Sequence, residues 1–356
     1  MAFDSSHLEA ILQKICQEGR GILAADESAS TIKKRFDSIH VESTPENRRS
    51  YRNMLFTTSG IEKYISGIIL YDETVDQKTE NGQTFSEYLA SKHIVPGIKT
   101  DMGKIEHPNF APETITRGLD GLEERYASYT KRSNGTLGFA KWRQVIDIGE
   151  GMPTRALMES ALDAMAQYAA ISQHAGYVPI TEPEILMDGD HSIDRCAEVT
   201  AMALTILYQM LEKHRVSIPH TLLKPNMVLS GKKFGSVDAP ETVARATLEV
   251  FRSTVPAQVP GIVFLSGGQG PEQATANLDA VAKMAKKAKD PWWLSFSYGR
   301  ALQDPSLKAW GGRSENVAKA QKALDLRGRL NGCAQKGEYD MSMEHSSSPE
   351  HDIAAL

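Results

Sequence analysis

Eight short apolar runs, rich in β-branched residues, recur along the chain, and each ends on polar or charged residues. They lie at residues 21–26, 65–73, 95–101, 139–148, 177–187, 220–229, 261–267 and 292–300. Apolar runs without polar alternation are typical of parallel strands that are buried on both faces. The pattern therefore predicts eight parallel β-strands.

Stretches with apolar residues at helical spacing separate several of these runs. The clearest cover residues 156–174, 193–214, 240–253 and 271–288. A strand followed by a helix, repeated, is the pattern of βαβ units. Eight such units without a linker favour a closed TIM (β/α)8 barrel of the α/β class over an open doubly wound sheet. We predict one domain, a barrel at residues 1–330.

The two ends of the chain differ from the repeating pattern. After a charged helical stretch at residues 314–330, residues 331–356 are polar with few bulky side chains, which predicts a flexible C-terminal tail. Residues 1–10 lack the apolar core and basic flank of a secretory signal. The apolar runs are also much shorter than the roughly 20 residues of a membrane-spanning helix. We expect neither secretion nor membrane insertion.

The net charge indicates which class of ligand the protein binds, and the cysteine content indicates its cellular compartment. The formal net charge of −5 gives no overall positive field for nucleic acid or an anionic membrane. An anionic ligand must therefore be held by local cations, which indicates a small molecule. Cys16, Cys196 and Cys333 are an odd number spread over the chain, which suits free thiols in a reducing compartment. We predict a cytoplasmic protein.

Charged residues are embedded in the predicted strands, and barrel enzymes carry their catalytic groups at the C-terminal ends of strands. They are Asp26 in the first run, Lys99 in the third, Lys141 and Arg143 in the fourth, Glu182 and Glu184 in the fifth, and Lys224 in the sixth. Strand residues two apart share a face, so the paired members point the same way. Buried charges destabilise a fold unless they are paired, so their joint presence indicates a functional site.

Lys224 is the first candidate for a nucleophile. It is the lone lysine of an apolar segment, residues 222–228, where desolvation and a nearby Lys141 both disfavour the charged amine. A neutral lysine amine can form an imine with a ketone. The alternatives are a lysine that extends to the strand edge and a lysine in a buried ion pair.

Glu182 and Glu184 are candidates for general acid and base. Two carboxylates near several lysines can be held in different protonation states. The alternative is a structural layer of salt bridges to Lys141 and Lys224, and both interpretations can hold together.

A phosphate site is indicated by Ser266, Gly267 and Gly268, which follow the seventh run and precede a helix. Backbone N–H groups and the helix dipole can hold an oxyanion there. Arg300 ends the eighth run and can add a bidentate contact. The alternative for this glycine-rich loop is an ordinary tight turn.

Cofactor and metal motifs are absent from the sequence. The acidic loop 188–191 could bind a divalent metal, but an acidic loop with an N-cap before the helix at Ile193 explains it. The histidines show no metal-ligand spacing, and the nucleotide, dinucleotide and zinc-ribbon motifs are missing. We predict no cofactor and no metal.

Six segments resemble, in order, the signature segments of class I (Schiff-base) fructose-bisphosphate aldolases. They are residues 21–28, 139–143, 178–186, 221–227, 264–269 and 296–303. The resemblance implies a metal-independent carbon–carbon lyase that cleaves fructose 1,6-bisphosphate into dihydroxyacetone phosphate and glyceraldehyde 3-phosphate. It also implies a barrel fold, a sugar phosphate as ligand and a homotetramer.

The same resemblance implies roles for single residues. Lys224 forms the Schiff base, Glu182 is the acid and base for dehydration, assisted by Lys141 and Glu184, and Asp26 acts on the C4 hydroxyl. Residues implied near one phosphate or elsewhere along the substrate are Ser266, Gly267, Gly268, Ser297, Gly299 and Arg300. Residues implied near the other phosphate are Ser28, Thr31, Arg35, Arg48, Lys99 and Arg143.

Two departures from the family pattern leave the preferred ketose phosphate open. The family often has Val-Asp-Lys-Gly after the lysine at position 99, whereas residues 100–103 are Thr-Asp-Met-Gly. Many members end in a tyrosine that favours the bisphosphate over fructose 1-phosphate, whereas the last tyrosine here is Tyr339. The alternatives are a preference for fructose 1-phosphate or sedoheptulose bisphosphate, a transaldolase-like enzyme, and a non-catalytic scaffold, which would be expected to lose the strand-end charges.

Overall fold

The computed structural model describes residues 4–345. Its strands are β1 (Gly21–Ala25), β2 (Ile65–Leu70), β3 (Val95–Lys99), β4 (Lys104–Glu106), β5 (Thr114–Thr116), β6 (Phe139–Ile146), β7 (Val178–Ile185), β8 (Leu222–Leu223), β9 (Gly261–Phe264) and β10 (Trp293–Tyr298). All except β4 and β5 form a closed barrel in the order β1-β10-β9-β8-β7-β6-β3-β2, and its neighbouring strands are parallel. The predicted (β/α)8 barrel is confirmed, while β4 and β5 form a separate antiparallel pair.

Helices cover the outside of the barrel and close one end of it. They are α1 (Ser5–Ile15), α2 (Ala29–Asp37), α3 (Pro45–Phe56), α4 (Asp72–Asp76), α5 (Phe85–Ser91), α6 (Leu122–Arg132), α7 (Arg155–His174), α8 (Ile193–Lys213), α9 (Pro240–Thr254), α10 (Pro271–Ala288), α11 (Arg300–Trp310) and α12 (Val317–Lys336). The four helices predicted from apolar spacing, α7 to α10, lie within one residue of their predicted bounds. Proline begins α9 and α10, where its missing N–H removes no hydrogen bond.

All eight barrel strands are shorter in the structure than predicted, and for two of them the local sequence explains why. The second ends at Leu70 rather than at residue 73, because Asp72 and Glu73 enter α4, where acidic side chains suit the positive end of the helix dipole. The sixth is a regular strand only at Leu222–Leu223. Lys224 N still donates to Thr181 O at 2.8 Å, but Pro225 has no N–H with which to continue the ladder.

The interior of the barrel near the N-terminal ends of the strands is apolar. Helix α1 covers this end and buries Leu8, Ile11, Leu12 and Ile15 there. They belong to one cluster with the inward side chains Ile22, Ala24, Ile69, Val95, Phe139, Val178, Ile180, Leu222 and Val263. Glycine makes room for the largest of these, since a Cβ on Gly97 would lie 2.3 Å from the Phe139 ring. The fold therefore has a closed, apolar base beneath its open end.

The C-terminal part of the chain is packed beyond the predicted domain boundary. Helix α12 crosses residue 330 and ends at Lys336, and its side chains at Asn331 and Ala334 are fully buried. Tyr339 is also buried. The boundary predicted at residue 330 is therefore too early, because these side chains complete the packing of α12. The tail prediction for residues 346–356 lies outside the described residues.

Candidate active site

A cavity of about 530 Å³ opens where the barrel strands end. Most of the residues predicted for the site line it: Asp26, Ser28, Thr31, Arg35, Lys99, Lys141, Arg143, Glu182, Glu184, Lys224, Ser266, Gly267, Ser297, Gly299 and Arg300. Residues more than 200 positions apart in the chain meet here because parallel strands of a barrel end at one rim. The structure therefore gathers the charges of six predicted strands around one space.

Glu182 lies between two buried lysines. Its Oε1 atom is 3.1 Å from Lys224 Nζ, and its Oε2 atom is 3.0 Å from Lys141 Nζ. Lys141 Nζ is also 2.8 Å from Asp26 Oδ2. Lys141, Glu182 and Lys224 are each less than 5 % exposed. This row of charges is therefore shielded from solvent. Electrostatic interactions are stronger in such a buried environment than in water.

Both carboxylates in this row are ionised at neutral pH. Burial alone would raise the pKa of Asp26, but the positive charges of Lys141 and Lys224 outweigh it and hold that pKa far below its usual range. Burial likewise opposes ionisation of Glu182, and the same two lysines hold its pKa below the usual value. Each carboxylate can therefore accept a proton from a neighbouring group.

The two lysines differ in their surroundings. Lys141 has carboxylate oxygens of Asp26, Glu182 and Asp101 within 4 Å. Burial disfavours its charge, but these carboxylates outweigh burial and raise the pKa of Lys141 well above its usual value. Lys224 has one such partner in the described chain, Glu182. Lys141 is therefore held as a cation by three carboxylates, whereas Lys224 has a single carboxylate neighbour among the described residues.

The glycine-rich loop lies next to Lys224. Leu265 N donates to Pro225 O at 3.0 Å, so the residues that follow Leu265 continue beside those that follow Lys224. Gly267 and Gly268 have φ angles of +58° and +95°, which favour glycine. Ser266 and Gly267 line the cavity together with Arg300, the first residue of α11. The predicted oxyanion loop is thus placed on the Lys224 side of the cavity.

A second cavity of about 720 Å³ adjoins the first on its opposite side. Ser28, Thr31, Lys99 and Arg143 line both cavities. Lys99 Nζ is 2.5 Å from Asp101 Oδ1, and Arg143 pairs with Glu184. This side of the site therefore also carries cations, each balanced by a carboxylate.

Comparison with known proteins agrees with this geometry. The family model described as fructose-bisphosphate aldolase class-I matches residues 7–355. This chain belongs to the class-I fructose-bisphosphate aldolase family. The cytosolic fructose-bisphosphate aldolase 4 of Arabidopsis thaliana is 50% identical over 321 residues, which cover 90% of this chain and 80% of that protein.

Relatives from animals and parasites give the same result. Fructose-bisphosphate aldolase 2 of Caenorhabditis elegans is 48% identical over 332 residues, 93% of this chain and 89% of that protein. A solved structure of Plasmodium falciparum fructose-bisphosphate aldolase, in a ternary complex with TRAP and a small-molecule inhibitor, superposes with a TM-score of 0.91. It is 44% identical and covers 96% of this chain and 98% of that one. The barrel and the candidate site both lie within these matches.

Three residues that the aldolase resemblance placed at phosphate sites stand differently in the structure. Arg48 is not on the cavity wall, because its guanidinium pairs with Glu73 at 2.5 Å. Gly268 lies just behind the wall, with Arg300 Nη2 3.4 Å from the position that a Cβ would occupy. Arg35, expected with Lys99, reaches the opposite side, where its Nη2 atom is 3.6 Å from the corresponding position on Gly299. The positions of these three residues depend on contacts between segments that are far apart in the sequence.

Several wall residues of this aldolase were missed by sequence reasoning. Glu27 is buried and pairs with Arg35 at 2.8 Å, and it also accepts a hydrogen bond from Gln303 Nε2. Lys34, Ser38, Asp304 and Lys308 also line the cavity. They lie on α2, directly after it at Ser38, or on α11, the helices that follow β1 and β10, so no strand-end signal marks them. For Glu27, its place directly after Asp26 was the available signal.

Three buried polar atoms of the aldolase site have no hydrogen-bond partner within residues 4–345. They are Arg35 Nη1, Glu182 Oε2 and Ser297 Oγ. The first two lie within ion-pair distance of Glu27 and Lys141 but outside hydrogen-bonding geometry. Buried polar atoms normally have a partner, and all three residues line the cavity.

Outside the cavity, residues 4–345 give no indication of a metal site. In residues 4–345, no group of three or more His, Cys, Asp or Glu side chains could hold a metal ion. The acidic loop precedes α8 as predicted, with Ser192 accepting a hydrogen bond from Arg195 N at 3.2 Å as the N-cap. The three cysteines are free thiols, as predicted. In the same part of the chain, no helix has both the length and the hydropathy to cross a membrane.

Proposed function

We propose that this protein catalyses the reversible aldol cleavage of fructose 1,6-bisphosphate into dihydroxyacetone phosphate and glyceraldehyde 3-phosphate through a Schiff base on Lys224. The observation that carries the proposal is the buried row Lys224–Glu182–Lys141–Asp26, in which neighbours are 3.1, 3.0 and 2.8 Å apart. It supplies a nucleophile and two ionised carboxylates. The family to which the chain belongs supports the substrate.

Imine formation begins with transfer of a proton from Lys224 Nζ to Glu182. The neutral amine then attacks the C2 carbonyl, and the carbinolamine loses its hydroxyl group as water after Glu182 returns the proton to that oxygen. Lys141 remains protonated throughout, because three carboxylates surround it. Its charge keeps Glu182 ionised before it accepts the proton and again after it has returned it. Glu184 assists by holding Arg143 at the same rim.

Carbon–carbon cleavage uses Asp26 as the base. Its carboxylate removes the proton of the C4 hydroxyl, the C3–C4 bond breaks, and glyceraldehyde 3-phosphate leaves. The electron pair of that bond moves to the iminium, which becomes an enamine. Transfer of the proton from Asp26 to C3 regenerates the iminium and the Asp26 carboxylate, and addition of water then releases dihydroxyacetone phosphate and free Lys224. The low pKa of Asp26 keeps its carboxylate ionised before the cleavage step.

Cations on two sides of the site favour a substrate with two phosphates. The loop at Ser266, Gly267 and Gly268 lies beside Lys224 with Arg300, so it suits the phosphate on the ketone half. Ser297, Gly299 and Arg35 line the same part of the cavity. The other phosphate is assigned to Lys99, Arg143, Ser28 and Thr31. Arg48 is left out of this assignment.

The proposal extends to the setting of the enzyme. We assign it to the cytoplasm, because relatives from Arabidopsis thaliana and Spinacia oleracea are named as cytosolic or cytoplasmic isozymes. The free thiols are compatible with a reducing compartment. The homotetramer implied by the sequence resemblance is kept as part of the proposal, and sedimentation of the purified protein tests it.

The decisive test is reductive trapping with borohydride. Incubation with dihydroxyacetone phosphate and borohydride is expected to attach one three-carbon adduct to the Lys224 peptide, as mapped by mass spectrometry. Lys224→Met should give no adduct and no measurable cleavage, and EDTA should leave wild-type activity intact. An adduct on another lysine, or loss of activity in EDTA that added metal restores, would overturn the mechanism.

A further inference from the structure

Lys232 is a charged residue near the glycine-rich loop that the mechanism does not use. It lies on the segment after β8, eight positions beyond Lys224 in the sequence. Its side chain is exposed by 41 %, so it belongs to the rim rather than to the buried row of charges. Its position on this rim is defined by backbone contacts on one side and by side-chain contacts on the other.

Backbone hydrogen bonds fix where Lys232 stands. Gly231 N donates to His191 O at 2.8 Å, Lys232 N donates to Met187 O at 2.7 Å, and Lys233 N donates to Gly189 O at 3.0 Å. The approach is so close that a Cβ on Gly231 would lie 2.2 Å from Gly189 O. The segment is therefore held against the loop after β7, and the lysine side chain starts from a defined point.

The Lys232 side chain reaches across to the phosphate loop. Its Nζ atom is 2.5 Å from the position that a Cβ on Gly268 would occupy, and Arg300 Nη2 is 3.4 Å from the same position. Two positive groups thus converge on one glycine of the loop. The positive charges of Lys232 and Arg300 repel each other at such close range. An anion bound between them is attracted by both.

The carboxylate that now holds Lys232 is easily exchanged. Lys232 Nζ is 3.0 Å from Asp188 Oδ1, and the Asp188 side chain is 67% exposed. Ion pairs this exposed contribute little free energy, about 0–1 kcal/mol. Arg300 forms no ion pair within residues 4–345. The pair of cations therefore has spare capacity for a ligand phosphate.

We propose that Lys232 binds the phosphate on the ketone half of the substrate, together with Arg300 and the backbone of residues 266–268. The inference rests on the proposed function and adds a binding residue from the loop after β8. Asp188 holds the lysine in place until the phosphate arrives. Lys232 then contacts the phosphate directly and has no role in the bond-breaking steps.

The test measures how much ketone is needed for half-maximal borohydride trapping on Lys224. Lys232→Met is expected to raise this concentration roughly tenfold for dihydroxyacetone phosphate, the size expected for loss of one charge-assisted hydrogen bond. The concentration for unphosphorylated dihydroxyacetone should stay unchanged. Lys233→Met is the matched control, since it removes a neighbouring exposed lysine, and should match wild type with both ketones.

Asp188→Asn separates direct binding from an indirect effect on the loop. It keeps the lysine but removes its tether, and it should bind dihydroxyacetone phosphate at least as well as wild type. The inference is overturned if Lys232→Met behaves like Lys233→Met, or if Asp188→Asn weakens binding as much as Lys232→Met. Failure of the proposed function looks different, because wild type would then give no Lys224 adduct with either ketone.

Discussion

The two ends of this barrel are built from the same strands and differ in almost every physical property. On β6, the inward side chain Phe139 lies at the base, and the next one on the same face, Lys141, lies in the catalytic cavity. On β7, Ile180 is followed in the same way by Glu182. The base gains its stability from apolar burial, whereas the rim holds charges whose burial is costly.

This division shows how one fold separates stability from chemistry. The base is closed by α1 and built around a cluster of apolar side chains, so its stability comes mainly from the burial of apolar surface. The rim keeps its charges buried by pairing them, and the same pairing holds Asp26 and Glu182 ionised. Substitutions at the rim should therefore change reactivity most, and those at the base should change stability most.

The largest expected effect is that of Glu182→Gln at the rim. Without the carboxylate between Lys141 and Lys224, no group takes the Lys224 proton or returns it during dehydration. Turnover should fall by roughly 10²–10⁴-fold, the usual contribution of a general acid–base group. Steady-state cleavage of fructose 1,6-bisphosphate measures the loss.

Glu106→Gln is the control for this prediction, because Glu106 is an exposed carboxylate on β4 and lies outside the cavity of about 530 Å³. It should keep turnover within about twofold of wild type. Retention of more than a tenth of wild-type turnover by Glu182→Gln would mean that another group performs the proton transfer.

The second-largest expected effect is a loss of stability on substitution in the apolar base of the barrel. Leu8→Ala removes a fully buried side chain of α1 and leaves a cavity against the strands. It should lower the free energy of unfolding by about 2–5 kcal/mol, as measured by urea denaturation. The rate of borohydride trapping on Lys224 under native conditions should stay close to that of wild type.

Gln13→Ala, an exposed change on the same helix, should alter stability by no more than about 0.5 kcal/mol. A Leu8→Ala protein that keeps its stability but loses trapping would contradict the separation of the two ends.

The smallest expected effect is the pH dependence of stability that Asp26 causes. The native pKa of Asp26 is below its ordinary value of 3.8, so the unfolded chain binds this proton more readily. The stabilisation is therefore present above the unfolded pKa and is lost as pH falls through 3.8 toward the native pKa. The stability difference between wild type and Asp26→Asn should narrow by about 1–2 kcal/mol between pH 6 and pH 3.

Urea titrations of both proteins across this range provide the measurement. The difference in unfolding free energy between wild type and Leu8→Ala should stay constant over the same pH values, because leucine and alanine have no titratable group. Parallel curves for wild type and Asp26→Asn would show that Asp26 has no depressed pKa.

Much of the site was predictable because strand geometry is local. Residues two apart share a face, so Lys141 with Arg143 and Glu182 with Glu184 could be grouped from sequence alone. Because barrel enzymes carry catalytic groups at the C-terminal ends of strands, charges within the apolar runs were candidates for the open end. The glycine-rich loop was also recognisable, since its place between a strand and a helix is a local property.

The sequence by itself determined the number and order of the eight strands and which of their charges share a face, because these depend on apolar runs and on a period of two along a strand. Tertiary structure alone decided which charge meets which. Closure of the barrel set Glu182 between Lys141 and Lys224, turned Arg48 to Glu73, and brought Lys232 to Gly268. Such contacts join residues far apart in the chain, and no local pattern specifies the distance between them.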